Sequence, residues 1–256
     1  MLSYQHAYHA GNLADVHKHG ILSWILAYMT EKPKPLSYLE THAGRAVYDL
    51  SGAAARKTGE AAQGIARLES RLSPDHAYRT TLDACRDANG ADSYPGSPWI
   101  ANHLLRAEDT LHLAELHPAE HAALSDALPG AHCLHEDGLA MAMSRTPPTP
   151  RRGFLLCDPS YEVKTEYATT PDFFTKLHRR WPVGVLMLWY PILTTGVHKP
   201  MTAVLRSALP EGWHHEVRFP PARDGHGMIG SGLFVVNPPY GLPEAAARIG
   251  HLFDNL

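Results

Sequence analysis

The sequence predicts an α/β fold, an open and largely parallel sheet flanked by helices, and three observations carry that expectation. Phe154-Leu155-Leu156-Cys157 is a short apolar run bounded by Gly153 and Pro159, the pattern of a strand buried on both faces, and Asp158 stands at its carboxyl end. Strand-like and helix-like stretches alternate over most of the chain. Four acids, Glu40, Glu115, Asp137 and Asp158, fall at the carboxyl ends of successive expected strands, the edge at which open α/β sheets bind their ligands.

Taken in order, Met1 to Gly11 lacks either period and reads as an arm carrying Tyr4, His6, Tyr8 and His9. Asn12 is a natural N-cap, and Val16, Ile21, Leu22, Ile25, Leu26 and Met29 share one face of a helix that ends before Pro33. Lys18 and His19 lie near its start and are expected on its solvated side, the usual place for Lys. Leu36 to Glu40 is the first strand, left through a loop, Thr41 to Ala46, in which Gly44 permits close approach of the backbone to a ligand. From Val47 to about Asn89 the chain is Ala-, Arg- and Glu-rich helix with a start at Thr58-Gly59-Glu60 and a break at Pro74. A connection that long predicts an inserted helical subdomain over 47–96 within one domain of 1–256. Tyr94 to Pro98 closes it with a turn, and Ser97 is expected to cap a helix from Pro98 to Arg106.

Strands then follow at Thr110 to Glu115, Ala131 to His135, Phe154 to Cys157, Val185 to Tyr190 with Pro191 at its end, Trp213 to Phe219 and Leu233 to Val236. A helix through Leu128, one from about Val197 to Ala208 and a C-terminal helix fill the gaps. Asp224 to Ser231 reads as a mobile glycine-rich loop. Glu115 is placed as the acid that accepts hydrogen bonds from ribose hydroxyls in dinucleotide folds. Arg151, Arg152, Arg179 and Arg180 are the best candidates for phosphate contacts. After Asp158, the Pro159 carbonyl has no competing N–H and Tyr161 offers a ring, a set that suits a planar amine such as that of adenine.

Composition narrows the function classes. The 256 residues, 44% of them hydrophobic, are enough for one large core, and a net charge of −3 excludes a strongly basic nucleic-acid coat. Three well-separated cysteines form neither a disulfide framework nor a metal knuckle, which fits a reducing cytoplasm. The apolar run from Ile21 to Met29 is far shorter than the ~20 residues of a membrane span. His6, His9, Asp15, His17 and His19 suggest a metal-dependent hydrolase, but His17 and His19 point to different sides of a helix, whereas helical zinc pairs favour i, i+4, so no metal is expected.

Met1-Leu2-Ser3-Tyr4, His9-Ala10-Gly11-Asn12, Ala14-Asp15-Val16, Lys18-His19, Thr41-His42-Ala43-Gly44, Tyr94-Pro95-Gly96-Ser97-Pro98, Glu115-Leu116-His117-Pro118 and Asp137-Gly138 together resemble the RlmJ family, over nearly the whole chain. The resemblance implies a Rossmann-like class I methyltransferase sheet with a small inserted helical subdomain. It implies N6-methylation of an adenine in 23S ribosomal RNA with S-adenosyl-L-methionine as cofactor, by a cytoplasmic monomer. It also implies cofactor contacts at His19, His42, Ser97, Glu115, Asp137 and Gly138, with Lys18 beside them, Asp158, Pro159 and Tyr161 at the reacting amine, and Tyr4 on the RNA. Ser160 replaces the second proline of the family's Asp-Pro-Pro-Tyr, which predicts a less rigid loop. Arg45-Ala46 stands where a small residue and a glycine are usual, which predicts a bulkier cofactor loop and altered affinity, and Glu40 replaces the more usual Asp. Asn237-Pro238-Pro239-Tyr240 matches the general amino-methyltransferase motif by letters, but it follows the last strand rather than the fourth and reads as a strand terminator. A DNA amino-methyltransferase and a non-catalytic RNA binder are the competing readings.

Overall fold

The computed structural model describes residues 5–256 except Asp224 and His226, so Tyr4 lies outside the described residues. Nine strands form: β1 (Ser37–Glu40), β2 (Val47–Asp49), β3 (Ser93–Pro95), β4 (Thr110–Ala114), β5 (His132–Leu134), β6 (Gly153–Cys157), β7 (Val185–Leu193), β8 (Trp213–Arg218) and β9 (Met228–Val236). Seven of them make one sheet in the order β5-β4-β1-β6-β7-β9-β8, parallel from β5 to β7 and antiparallel at β9 and β8. The order turns back between β1 and β6, the switch point at which doubly wound sheets open a crevice. This is a Rossmann-like sheet, as the sequence led one to expect, with an antiparallel pair at one edge.

Alternation inside β6 shows how short apolar runs make this sheet. Phe154 and Leu156 enter one core, and Leu155 and Cys157 the other. The first core is completed by α1 (Leu13–Thr30), by helices α3 (Glu60–Gln63), α4 (Ile65–Leu68) and α5 (Ala77–Asn89) of the insertion, whose first helix α2 (Ala53–Thr58) packs on the His6–Tyr8 turn instead, by α6 (Ser97–Leu104) and α7 (Pro118–Ala127), and by α11 (Leu242–Gly250). The second is covered by α8 (Gly138–Arg145), α9 (Glu166–Arg180) and α10 (His198–Ala208). With both faces covered, β6 carries no polar face and reads as a continuous apolar run, whereas β4 and β5 nearer the sheet edge keep His112 part-exposed and His132 exposed. Among the described residues no helix is long and apolar enough to cross a membrane.

Several boundaries differ from expectation, each for a physical reason. The helical stretch from Val47 is closed by an antiparallel ribbon, with Val47, Tyr48 and Asp49 opposite Pro95, Tyr94 and Ser93. Strands of three residues are too short to show a period. β7 continues through Pro191 to Leu193. Its parallel register with β6 ends at Cys157 and Leu188, so at Pro191 only β9 is adjacent, and proline is tolerated at such an edge. The glycine-rich stretch is not a loop throughout, because β9 begins at Met228 and contains Gly230 and Gly232. Close approach explains both: a Cβ on Gly230 would lie 2.4 Å from the Val217 carbonyl oxygen, and one on Gly232 would lie 2.1 Å from the Tyr190 ring.

Two of the four arginines expected at phosphate, Arg152 and Arg180, are engaged by the frame. Arg152 donates to the Lys34 carbonyl at 2.9 Å and to that of Met29, and Arg180 donates to the Thr146 carbonyl. These contacts lie at the amino edge of the sheet, opposite Asp158. Arg151 and Arg179 are exposed.

Gly232→Ala should destabilise the fold by about 1–3 kcal/mol, the usual cost of overpacking a filled core. Gly130→Ala, where an added Cβ meets nothing within 4 Å, should stay within about 0.5 kcal/mol. Urea unfolding of the two variants checks this, and equal stabilities would contradict the packing at β7 and β9.

Candidate active site

Helix α1 brings a row of polar side chains into the core. Its N-cap is Asn12, whose Oδ1 accepts the Asp15 N–H at 2.9 Å. Asp15, His17, Lys18 and His19 are all buried, against the expectation of a solvated face, because α1 lies between the sheet, α5, α6 and α11. Asp15 is the hub. Its Oδ2 accepts from His6 Nε2 and from the Gly11 N–H, each at 2.9 Å, and its Oδ1 lies 3.1 Å from Lys18 Nζ. Burial opposes its ionisation, but His6, Lys18 and His19 outweigh burial and hold its carboxyl well below the usual range. Lys18 reaches across to the end of β6 and donates to Asp158 Oδ2 at 2.5 Å. Burial alone would pull Lys18 down; Asp158 and Asp15 raise it above its ordinary value, so it is an ammonium held between two carboxylates. Burial pushes His19 down to about 3 and leaves it neutral, with Nδ1 paired to the Tyr94 hydroxyl at 2.9 Å and Nε2 without a hydrogen-bond partner.

Register places the other acids. Glu40 ends β1 opposite Leu113 of β4 and Leu156 of β6, so the residues that follow all three strands converge on one edge. Glu115 accepts the Gly44 N–H at 2.7 Å on Oε2 and the His117 N–H at 2.7 Å on Oε1, which fixes its carboxylate at the mouth of the β1 loop. Asp137 caps α8 by accepting the Ala140 N–H at 2.8 Å. Next to it, Gly138 passes so close to β1 that a Cβ would meet the Thr41 carbonyl oxygen at 1.8 Å. His42 has its Nδ1 2.7 Å from the Thr41 hydroxyl, and burial lowers its pKa.

These residues surround a cavity of about 660 Å³, lined by all the expected cofactor positions, Lys18, His19, His42, Ser97, Glu115, Asp137, Gly138 and Asp158, together with Pro159 and Tyr161. That is within the usual range for a small-molecule site. Glu40 is the exception among the four strand-end acids. It lies beneath the cavity wall, accepting from the Ser97 hydroxyl at 2.5 Å and the Tyr38 hydroxyl at 2.8 Å, and burial raises it to about 8. Ser97 therefore does not cap α6, whose N-cap is Gly96 without a side-chain bond.

Tyr161 anchors the loop that follows Asp158. It adopts φ 56°, donates its hydroxyl to the Trp189 carbonyl at 3.0 Å and packs its ring against Tyr167 at 4.3 Å. Arg45 does not enlarge the cofactor loop into the cavity: its guanidinium forks onto Glu120 at 2.7 and 2.6 Å. Asn237 is fixed at the opposite edge of the sheet by donating to the Pro182 and Gly184 carbonyls at 2.9 and 2.7 Å. His17 and His19 diverge, His17 toward Ser231 and His215, and no group of three or more metal-ligating side chains forms among the described residues. Sequence reading missed the bridge from Asp15 through Lys18 to Asp158. Its available signal was the i, i+3 spacing of Asp15 and Lys18 on α1.

Residues 33–255 match the family model described as Ribosomal RNA large subunit methyltransferase D, RlmJ. The chain belongs to the RlmJ family. It is 37% identical over 251 residues to Ribosomal RNA large subunit methyltransferase J of Escherichia coli, covering 95% of this chain and 90% of that protein. The protein of the same name from Haemophilus influenzae is 36% identical over 263 residues, covering 97% and 92%. A crystal structure of a Legionella pneumophila protein superposes with a TM-score of 0.84 at 34% identity, covering 95% of this chain and 92% of that one.

The RlmJ-family cavity fits S-adenosylmethionine by its own donor set. Glu115 and Asp137 offer carboxylate acceptors, His19, whose Nε2 has no hydrogen-bond partner, lines the same space, and Gly44 and Gly138 leave the backbone bare. Glu40 gives the fold a pH signature. Its folded pKa is raised from 4.5 to about 8, so its stabilising contribution is complete below pH 4.5 and is lost as pH rises toward 8. His19 has the opposite sign: lowered from 6.5 to about 3, it contributes fully above pH 6.5 and its contribution is lost as pH falls toward 3. Glu40→Gln should remove a loss of up to about 1.4 kcal/mol per pH unit on the alkaline side. Unfolding free energies from about pH 5 to 8 test this, and parallel profiles for wild type and variant would refute it.

Proposed function

We propose that this chain transfers a methyl group from S-adenosylmethionine to N6 of an adenine in 23S ribosomal RNA, acting as a cytoplasmic monomer. Family membership makes it a large-subunit ribosomal RNA methyltransferase. The observation that carries the amino-nitrogen target is the Asp158-Pro159 step at the end of β6, opening into the cavity that Glu115 and Asp137 also line.

S-adenosylmethionine, when bound, supplies an electrophilic methyl group on a sulfonium. Glu115 would hold its ribose, and Asp137 with Gly138 its adenine. The amino nitrogen of the target base is a weak nucleophile because its lone pair is delocalised into the ring. Accepting its two N–H groups at Asp158 and at the Pro159 carbonyl favours a pyramidal, nucleophilic nitrogen. Lys18 occupies Asp158 Oδ2, while Oδ1 has no hydrogen-bond partner among the described residues. That oxygen is placed to receive the amino proton. The chain's contribution is orientation and a fixed field rather than covalent chemistry. The base must leave its stack to reach this pocket, at a cost of a few kcal/mol when paired and less in a loop.

Labelled methyl transfer to unmethylated 23S ribosomal RNA, with the modified nucleoside identified, tests the proposal. Wild type should yield N6-methyladenosine, Asp158→Ala should lose on the order of 100-fold or more in kcat, and Asn237→Ala should retain full activity. An active Asp158→Ala would remove the acid from its role, and equal methylation of DNA of the same sequence would replace the RNA assignment. Glu115→Gln should weaken cofactor binding, read by calorimetry, by about 5- to 30-fold, as expected for a charged hydrogen-bond acceptor made neutral.

A further inference from the structure

Trp189 is a half-buried indole on the α1 side of β7, and its ring lines the cavity. Three contacts fix it. The indole Nε1 donates to Ser231 Oγ at 2.9 Å on the neighbouring strand β9. The Lys18 ammonium stands 5.8 Å from the ring centroid while binding Asp158 Oδ2 at 2.5 Å. The Trp189 carbonyl accepts the Tyr161 hydroxyl at 3.0 Å. The ring and the Asp158 carboxylate are thus tied to one ammonium.

An indole N–H can only donate, so Ser231 Oγ accepts from Trp189. Behind it, Ser231 Oγ pairs with His17 Nδ1 at 2.8 Å, and His17 Nε2 pairs with His215 Nδ1 at 2.9 Å. Burial and the neighbouring His215 lower the His17 pKa. Three side chains, from β9, α1 and β8, thus form a hydrogen-bonded chain behind one ring.

The space beside the ring has a second aromatic wall. Tyr161 inclines to Trp189 at 56° with centroids 6.2 Å apart, and one side of Tyr161 is taken by Tyr167. We propose that Trp189 is the stacking surface that orients the target adenine, its ring lying against the base while the amino group meets Asp158 and Pro159. The inference rests on the reading of the cavity as an adenine-N6 transfer site. Ser231, His17 and His215 act through Trp189 as positioning residues.

The test compares Trp189→Leu, Trp189→Phe and Ser231→Ala with wild type on unmethylated 23S ribosomal RNA, measuring kcat and KM for RNA, cofactor Kd and thermal stability. Trp189→Leu should lose about 10- to 100-fold in kcat/KM for RNA, the scale of one base-stacking contact, with cofactor Kd within about twofold. Trp189→Phe should recover most of that loss, and Ser231→Ala, which keeps the ring but frees it, should fall between. Wild-type kcat/KM in Trp189→Leu, failure of Trp189→Phe to recover, or a parallel loss of cofactor affinity would overturn the inference. Photolabelling of the unaltered chain with 8-azidoadenosine monophosphate, in the presence of S-adenosylhomocysteine to occupy the cofactor site, gives a readout independent of variant folding. Label in the peptide containing Trp189 supports the inference, and label confined to other peptides overturns it. A wild type that makes no N6-methyladenosine would instead refute the assignment of the reaction itself.

Discussion

The ammonium of Lys18, bound between Asp15 and Asp158, is the constraint on which the site depends. Burying an ion is costly, and its attraction to one partner seldom repays the loss of water unless further hydrogen bonds complete the arrangement. Here they do, since Asp15 is also held by His6 and the Gly11 N–H. The consequence is geometric. Asp158 belongs to the end of a strand and Lys18 to the first helix, so the Asp158 carboxylate is held in place only when α1 is docked. Loss of either carboxylate would leave a buried charge short of a partner, so stability and chemistry are coupled at this point.

The remainder of the cavity is assembled from backbone that converges because of register. Glu115, Asp137 and Asp158 follow β4, β5 and β6, and each has a local reason for its position: two N–H donors, a helix cap and an ion pair. A structural duty for each acid keeps its rotamer fixed before any ligand arrives, which lowers the cost of binding. Glu40, at the end of β1, is turned under the wall onto Tyr38 and Ser97, and so supports the cavity without lining it.

Much of this was legible in the sequence. β6 was readable because a strand buried on both faces leaves a short apolar run, and Asp158 because the run stops at it. The reading of Asn237 as a strand terminator, away from Asp158, followed from counting strands. What stayed hidden was long-range. Lys18 was expected in solvent because no local pattern announces a carboxylate 140 positions away. Ser97 stood where a cap belongs, yet its hydroxyl goes to Glu40. Arg152 and Arg180 looked like anion ligands, but the carbonyls they bind become neighbours only when the chain ends of separate elements meet. Gly230 and Gly232 resembled a loop, since nothing local says that a strand and a tyrosine ring pass beside them.

Gly138 has a consequence of another kind. The distance between the β1 loop and the start of α8 is set there by main-chain atoms, with no room for even one methyl group. Side chains around the pocket can be exchanged and alter what a ligand touches, but the aperture at this point cannot be widened by exchanging them. Substitutions around the pocket can therefore retune its contacts while the bore at Gly138 stays fixed.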